Sequence, residues 1–324
     1  MPSPDTLRWL LDSDPAIRWQ VLRDLADAPP AQVALERARV AVEGLGARLL
    51  SLQAPDGRWG AAAWNRGWSS TMHALILLRE LGVERDHPTV QDAVGRVRDR
   101  VTWTGCAPPE CEGNAFFEGE VEPCINGQVA AAGAYFGQDV HALVQRLLAE
   151  QLADGGWNCE AEFGSTRSSF NTTICVLEAL SEYTHRFGAR PDVEAAQSRG
   201  HAYLIERHLF RRRSTGEPIA FDRKLAPERR TGRPTWTRFA FPTWWHDDIL
   251  RGLDYLRSAG IVPDPRLDEA LGIVEAARQG DGRWGLDIVH PGEMLVELGE
   301  VEGEPSRWIT LRALRVLRWS GRPA

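Results

Sequence analysis

Apolar residues recur at helical spacing along almost the whole chain, and runs with the two-residue alternation of a strand are absent. The periodic stretches fall into two alternating sets. The more polar set is predicted at 32–53, 88–101, 140–151, 193–210 and 264–279. The other set, 69–81, 125–136, 169–187, 247–258 and 307–319, is more apolar, as in Thr71-Met-His-Ala-Leu-Ile-Leu-Leu78. A helix apolar nearly all round must be buried between layers, so the second set is expected inside the first. Ser, Thr or Asp stands where several of these helices need an N-cap, and Gly82, Gly137, Gly188, Gly260 and Gly321 follow their ends. Residues 7–25 break near Asp14-Pro15, a cap and first-turn pair, and read as an opening hairpin within 1–30.

Three of the more polar stretches close with the same punctuation: Gln53-Ala-Pro-Asp56-Gly57-Arg-Trp59, Gln151-Leu-Ala-Asp154-Gly155-Gly-Trp157 and Gln279-Gly-Asp281-Gly282-Arg-Trp284. Asp-Gly supplies a positive-φ turn, the Gln amide can satisfy open backbone groups at helix ends, and the Trp offers a large apolar face to the next hairpin. Such recurrence is an internal repeat of units that cannot bury their own faces alone.

These segments, 49–60, 147–159 and 273–285, resemble the QW repeats of squalene/terpenoid cyclases and of protein prenyltransferase β-subunits. The resemblance implies an all-α fold: a single α/α toroid of five to six helical hairpins over residues 1–324, with a central apolar cavity for an isoprenoid.

The bulk properties agree with a helical protein holding a sizeable core: 324 residues, 43% of them hydrophobic. A net charge of −7 argues against nucleic acid as a partner. No apolar run is long enough for a membrane span, and the N-terminus lacks the order of a secretory signal. A cytoplasmic protein is therefore expected; a partner subunit is left undetermined.

Three long connections, 103–124, 211–245 and 285–306, all join a polar stretch to the next apolar one, so in a ring of hairpins they crowd one rim. Four of the five cysteines, Cys106, Cys111, Cys124 and Cys159, fall on that side, while Cys175 falls inside an apolar helix. An odd count without a signal peptide disfavours a disulfide framework. The four rim cysteines are candidate zinc ligands; small buried apolar residues are the plain alternative. Acidic residues from Glu110 to Glu122 offer oxygen ligands to magnesium, which ranks behind zinc. Arg211, Arg212 and Arg213 head a basic segment able to grip a diphosphate. Trp68, Phe170, Trp244, Trp245 and Trp308 stand near the starts of apolar helices, where rings could line a cavity mouth.

The resemblance adds roles. Glu122-Pro-Cys124 is similar to the Asp-x-Cys zinc element of prenyltransferase β-subunits, with His246 as a further ligand. His246-Asp247-Asp248 is similar to the Asp-x-Asp-Asp acid motif of class II cyclases, with Trp245 in place of the first Asp. It implies Asp247 as proton donor beside Asp248, although two acids in a first turn also suit simple helix capping. The leading expectation is a prenyltransferase- or terpene cyclase-like enzyme. Two other classes remain open: a non-catalytic toroid with a cysteine-clamped rim around a lipid or peptide, and a carbohydrate-active α/α barrel in which Trp stacks on sugar.

Overall fold

The computed structural model describes residues 2–105, 109–219 and 235–323. Cys106 and the basic positions Arg223, Lys224, Arg229, Arg230 and Arg233 lie outside them. The described chain is all-α: α1 (Pro4–Leu11), α2 (Pro15–Asp24), α3 (Pro30–Ala38), α4 (Gly44–Ser51), α5 (Thr71–Leu81), α6 (Pro88–Arg100), α7 (Pro123–Tyr135), α8 (His141–Ala149), α9 (Phe170–Phe187), α10 (Pro191–Glu206), α11 (Ile249–Ser258), α12 (Asp268–Ala276) and α13 (Arg307–Trp319). Short 3-10 turns and isolated β-bridges supplement them among the described residues. No helix is long and apolar enough to cross a membrane.

The helices differ locally from the periodicity in two places. Stretch 32–53 is not one helix: the chain breaks at Gly44, at φ +63°, where a Cβ would lie 2.1 Å from Asp14 Oδ2. Asp14 therefore serves two helices. Its Oδ1 accepts from Ala16 N–H at 2.9 Å and caps α2, and its Oδ2 accepts from Leu45 N–H at 2.8 Å in α4. The stretch at 247–258 begins its helix only at Ile249, because Asp248 is the N-cap.

The more apolar helices touch in sequence: α5 with α7, α7 with α9, α9 with α11, α11 with α13, and α13 with α2. The circuit closes where Trp19 Nε1 and Gln20 Nε2 of α2 donate to Leu81 O and Glu80 O of α5, at 2.9 and 3.3 Å. α8, α10 and α12 lie against the backs of these helices.

The repeat turns tie the layers together with the same bonds each time. The indole N–H of Trp59, Trp157 and Trp284 donates to Leu49 O, Leu147 O and Val274 O at 2.7, 2.6 and 2.6 Å. Each Trp backbone N–H donates to a threonine hydroxyl of the following apolar helix: Thr71, Thr173 and Thr310, at 3.2, 3.1 and 3.0 Å. Gln53 and Gln151 send their amides to Ala93 O and Ala196 O on the next hairpin, at 2.8 and 2.9 Å. The third turn has no such hairpin after it and instead meets α1, where Thr6 Oγ1 donates to Asp281 O at 3.5 Å.

The interior is not apolar throughout. Away from the heads of α5 and α9 it holds Arg79, Arg251, Arg312 and Arg315, each with a side chain no more than 10% exposed. Arg251 Nη2 meets Glu178 Oε2 at 2.9 Å, Arg312 meets Glu80, and Arg315 Nε donates to Asp254 Oδ1 at 2.7 Å. Burial alone would raise the Glu80 carboxyl, but Arg312, Arg251 and Arg79 outweigh it and hold the group down to about 2. Burial and Arg315 oppose each other in the same way at Asp254, and the cation wins.

Candidate active-site cavity

A cavity of about 880 Å³ opens at the other end, among the heads of α5, α7 and α9 and the segments before α11 and α13. One wall is indole. Trp68 packs 4.4 Å from Trp245, and Trp64 packs 6.0 Å from Trp245. Met72 and Ile125 extend the apolar surface. Trp244 does not face the cavity; it stacks behind Trp68 at 5.3 Å, with the planes 11° apart. Its φ of +55° is a conformation a bulky residue adopts only under constraint. Gln128 Nε2 supplies one such constraint, donating to Trp244 O at 3.3 Å. Beneath the rings lies His73, whose Nδ1 pairs with Ser70 Oγ at 2.7 Å and whose pKa burial lowers to about 3. It is neutral at physiological pH, and its Nε2 has no hydrogen-bond partner.

The facing wall carries Glu122, Cys124 and Cys159, whose ligating atoms all lie within 4.8 Å of one another. Glu122 is the N-cap position of α7 and Cys124 stands in its first turn, so the helix start fixes both. Cys124 Sγ donates to Glu122 Oε2 at 3.6 Å, and Cys159 Sγ pairs with Thr172 Oγ1 at 3.4 Å. Its bond with Cys159, and then burial, push the Cys124 thiol well above its ordinary range. In the metal-free state Cys124 is therefore a thiol. Two wall groups lack partners: Asn171 Oδ1, an acceptor, and Trp64 Nε1, a donor. His246 and His290 stack at 4.3 Å on the rim of the same cavity.

The structure therefore divides the expected site. The four-cysteine set does not assemble among the described residues: Cys111 is buried and disulfide-bonded, so it has no thiolate to give, and Cys106 is outside them. Cys124 and Cys159 do meet, with Glu122 completing the group. Cys175 is a buried free thiol beside Gln128.

Asp248 is a cap: its Oδ1 accepts from Arg251 N–H at 2.9 Å and its Oδ2 from Ala240 N–H at 3.0 Å. Burial raises its pKa to about 6 against those bonds. Asp247 is wholly buried and outside the cavity lining. Its Oδ1 lies 2.9 Å from Arg251 Nε, its Oδ2 has no hydrogen-bond partner, and burial raises its pKa to about 7 in spite of Arg251.

The arginine triplet is elsewhere. Arg211 Nε donates to Glu269 Oε2 at 2.6 Å on α12, and Arg212 and Arg213 are exposed. None of the three lines the cavity, because the chain spends them on the outer surface. Phe170 packs on Tyr203 and Trp236, and Trp308 stacks on Phe241 at 4.3 Å. Both are packing residues rather than cavity walls.

Sequence reasoning passed over Trp64, Asn171 and His290 as site residues. Trp64 and His290 sit in non-periodic connections, where spacing carries no signal. Asn171 is one of three successive polar residues, Asn171-Thr172-Thr173, in the first turn of α9, so nothing singled it out.

No protein-family model matches the chain, and no curated protein matches it. Solved structures it is similar to include the apo type II terpene cyclase MstE from Scytonema, at 17% identity over 92% of this chain and 86% of that one, with a TM-score of 0.42. A variant of the same cyclase in complex with geranylgeranyl dihydroxybenzoate gives 16% identity over 94% of this chain and 86% of that one, with a TM-score of 0.43. Likeness of that size carries no activity across, and the chain's own residues have to.

Proposed function

We propose that the helical circuit is a single α/α toroid domain and that it is a prenyltransferase-like enzyme taking an isoprenoid chain into the rim cavity. The carrying observation is the cavity's two unlike walls: Trp64, Trp68 and Trp245 on one side, and Glu122, Cys124 and Cys159 on the other. An apolar, flexible chain gains most from broad aromatic faces, and a reacting end then lies against the sulfur and carboxylate groups.

The donor set suits zinc. Two sulfurs and a carboxylate are ordinary ligands, and bonds of 2.0–2.3 Å put tetrahedral donor atoms about 3.6 Å apart; Cys124 Sγ and Glu122 Oε2 are 3.6 Å apart, and all three donors lie within 4.8 Å of one another. When bound, zinc supplies Lewis acidity at a fourth, open position. The protein's own part is to hold the chain on the indoles, exclude water with Met72 and Ile125, and present Glu122 and Cys124 from the rigid start of α7.

A second reading is acid-initiated cyclisation, favoured by one observation: Asp247 carries a proton near neutral pH and keeps Oδ2 unpartnered. Its absence from the cavity lining places this second.

The test is metal content by mass spectrometry together with thermal shift by farnesol. About one zinc per chain, lost in the C124S/C159S double variant, and a farnesol-induced rise in Tm that W245A weakens about tenfold in affinity, are expected. Zinc-free protein that farnesol does not stabilise would overturn the proposal.

A further inference from the structure

The polar end of the ligand has its own signature in the cavity. Among the described residues the lining holds two carboxylates, the half-buried Glu122 and the exposed Glu160, against one guanidinium, the exposed Arg66. Zinc held by two thiolates and Glu122 would leave that cluster one negative charge in excess. The wall is thus anionic with or without metal.

One described segment beside the cavity has the same sign. Residues 285–306, which bring His290 and Pro291 to the cavity, contain Asp287, Glu293, Glu297, Glu300, Glu302 and Glu304 and no Lys or Arg. Arg211 is committed to Glu269 outside the cavity.

Two further features bear on what such a wall would accept. The indole faces of Trp64, Trp68 and Trp245 are electron-rich and attract a cation more than an anion. Asn171, in the lining, has an Oδ1 acceptor with no donor. A bare diphosphate would meet like charge at Glu122 and Glu160, whereas a protonated amine would meet opposite charge, π-faces and an unfilled acceptor.

We infer that this cavity takes a ligand with an apolar body and a protonated amine at its polar end. The inference rests on the reading of the cavity as a site for an apolar chain and concerns the polar end of its ligand, not a diphosphate-releasing transfer. The amine is charged under the conditions of use, since alkylamines titrate near the lysine value of about 10.4.

The experiment is calorimetric titration of the full-length, zinc-loaded protein at pH 7 with farnesol, farnesylamine, farnesyl diphosphate and dodecylamine. Farnesylamine should bind at least tenfold more tightly than farnesol. That advantage should shrink several-fold in E160Q and in N171L, and as salt is raised.

Farnesyl diphosphate binding as tightly as the amine, or farnesylamine no tighter than farnesol, overturns the inference while leaving the isoprenoid reading in place. Dodecylamine matching farnesylamine does the reverse: charge recognition stands and the isoprenoid preference falls. No binding by any of the four removes both.

Discussion

The two ends of the apolar helices are built on opposite chemistry. At their heads, rings, sulfurs and a few polar groups surround open space, and several groups are left without partners. Away from them, four buried arginines and their carboxylates crowd the interior in ion pairs, around a smaller cavity of about 250 Å³. Unfilled bonding capacity belongs to a place that receives something. Paired charges belong to a plug that narrows the space at that side. Buried ion pairs contribute little net stability over apolar packing, yet breaking one costs a great deal, so the plug resists partial change.

The largest effect should come from breaking the plug. R315M leaves Asp254 with Arg257 as its remaining close cation and Asp24 and Gln20 without a buried donor. A stability loss of about 3–5 kcal/mol in urea unfolding is expected, with farnesol affinity unchanged within about twofold. A loss below about 1 kcal/mol would mean the arginines are spectators, and a large loss of affinity would mean the two ends are not separable.

The buried carboxylates around the plug should also titrate in opposite senses. Glu80 and Asp254 have lowered pKa values, so their stabilisation is present above their unfolded values and disappears as pH falls toward 2. Asp247 has the reverse sign. Its pKa is raised from 3.8 to about 7, so between those values the folded state binds more proton than the unfolded one. Stability contributed there is full below pH 4 and declines as pH rises through 7. Unfolding of D247N between pH 4 and 8 should therefore show a flatter profile than wild type, with a relative gain at pH 8. An unchanged slope would remove Asp247 from the account of either end.

What the sequence revealed divides along the same line. The repeat turns were legible because their bonds are local: each indole reaches a carbonyl ten residues back, so type and spacing appear together. The rim was half legible. Glu122 and Cys124 share one helix start, but Cys159 joins them from another hairpin, and no spacing rule links the two.

The plug was invisible. Arg251, Arg312 and Arg315 lie on helices whose periodicity shows a polar side without showing which way it turns. It turns inward because Glu80 on α5 and Glu178 on α9 wait there, far off in sequence. Arg211, Arg212 and Arg213 misled for the complementary reason: a run of like charges is conspicuous in a sequence, but only the fold decides whether it faces a ligand.

That contrast yields the smallest expected effect. Arg211 and Glu269 form an ion pair whose side chains are 29% and 42% exposed, beside water and far from both ends of the circuit. A pair so placed contributes about 0–1 kcal/mol, so R211A should shift the unfolding midpoint by little more than error. Ligand affinity should not change, because none of the triplet lines the cavity. A diphosphate that bound wild type tightly and R211A tenfold more weakly would put the recognition surface on the outer loop. The unfilled acceptor at Asn171 and the anionic wall would then need another explanation, and the division between a receiving end and a closed end would fail at its open side.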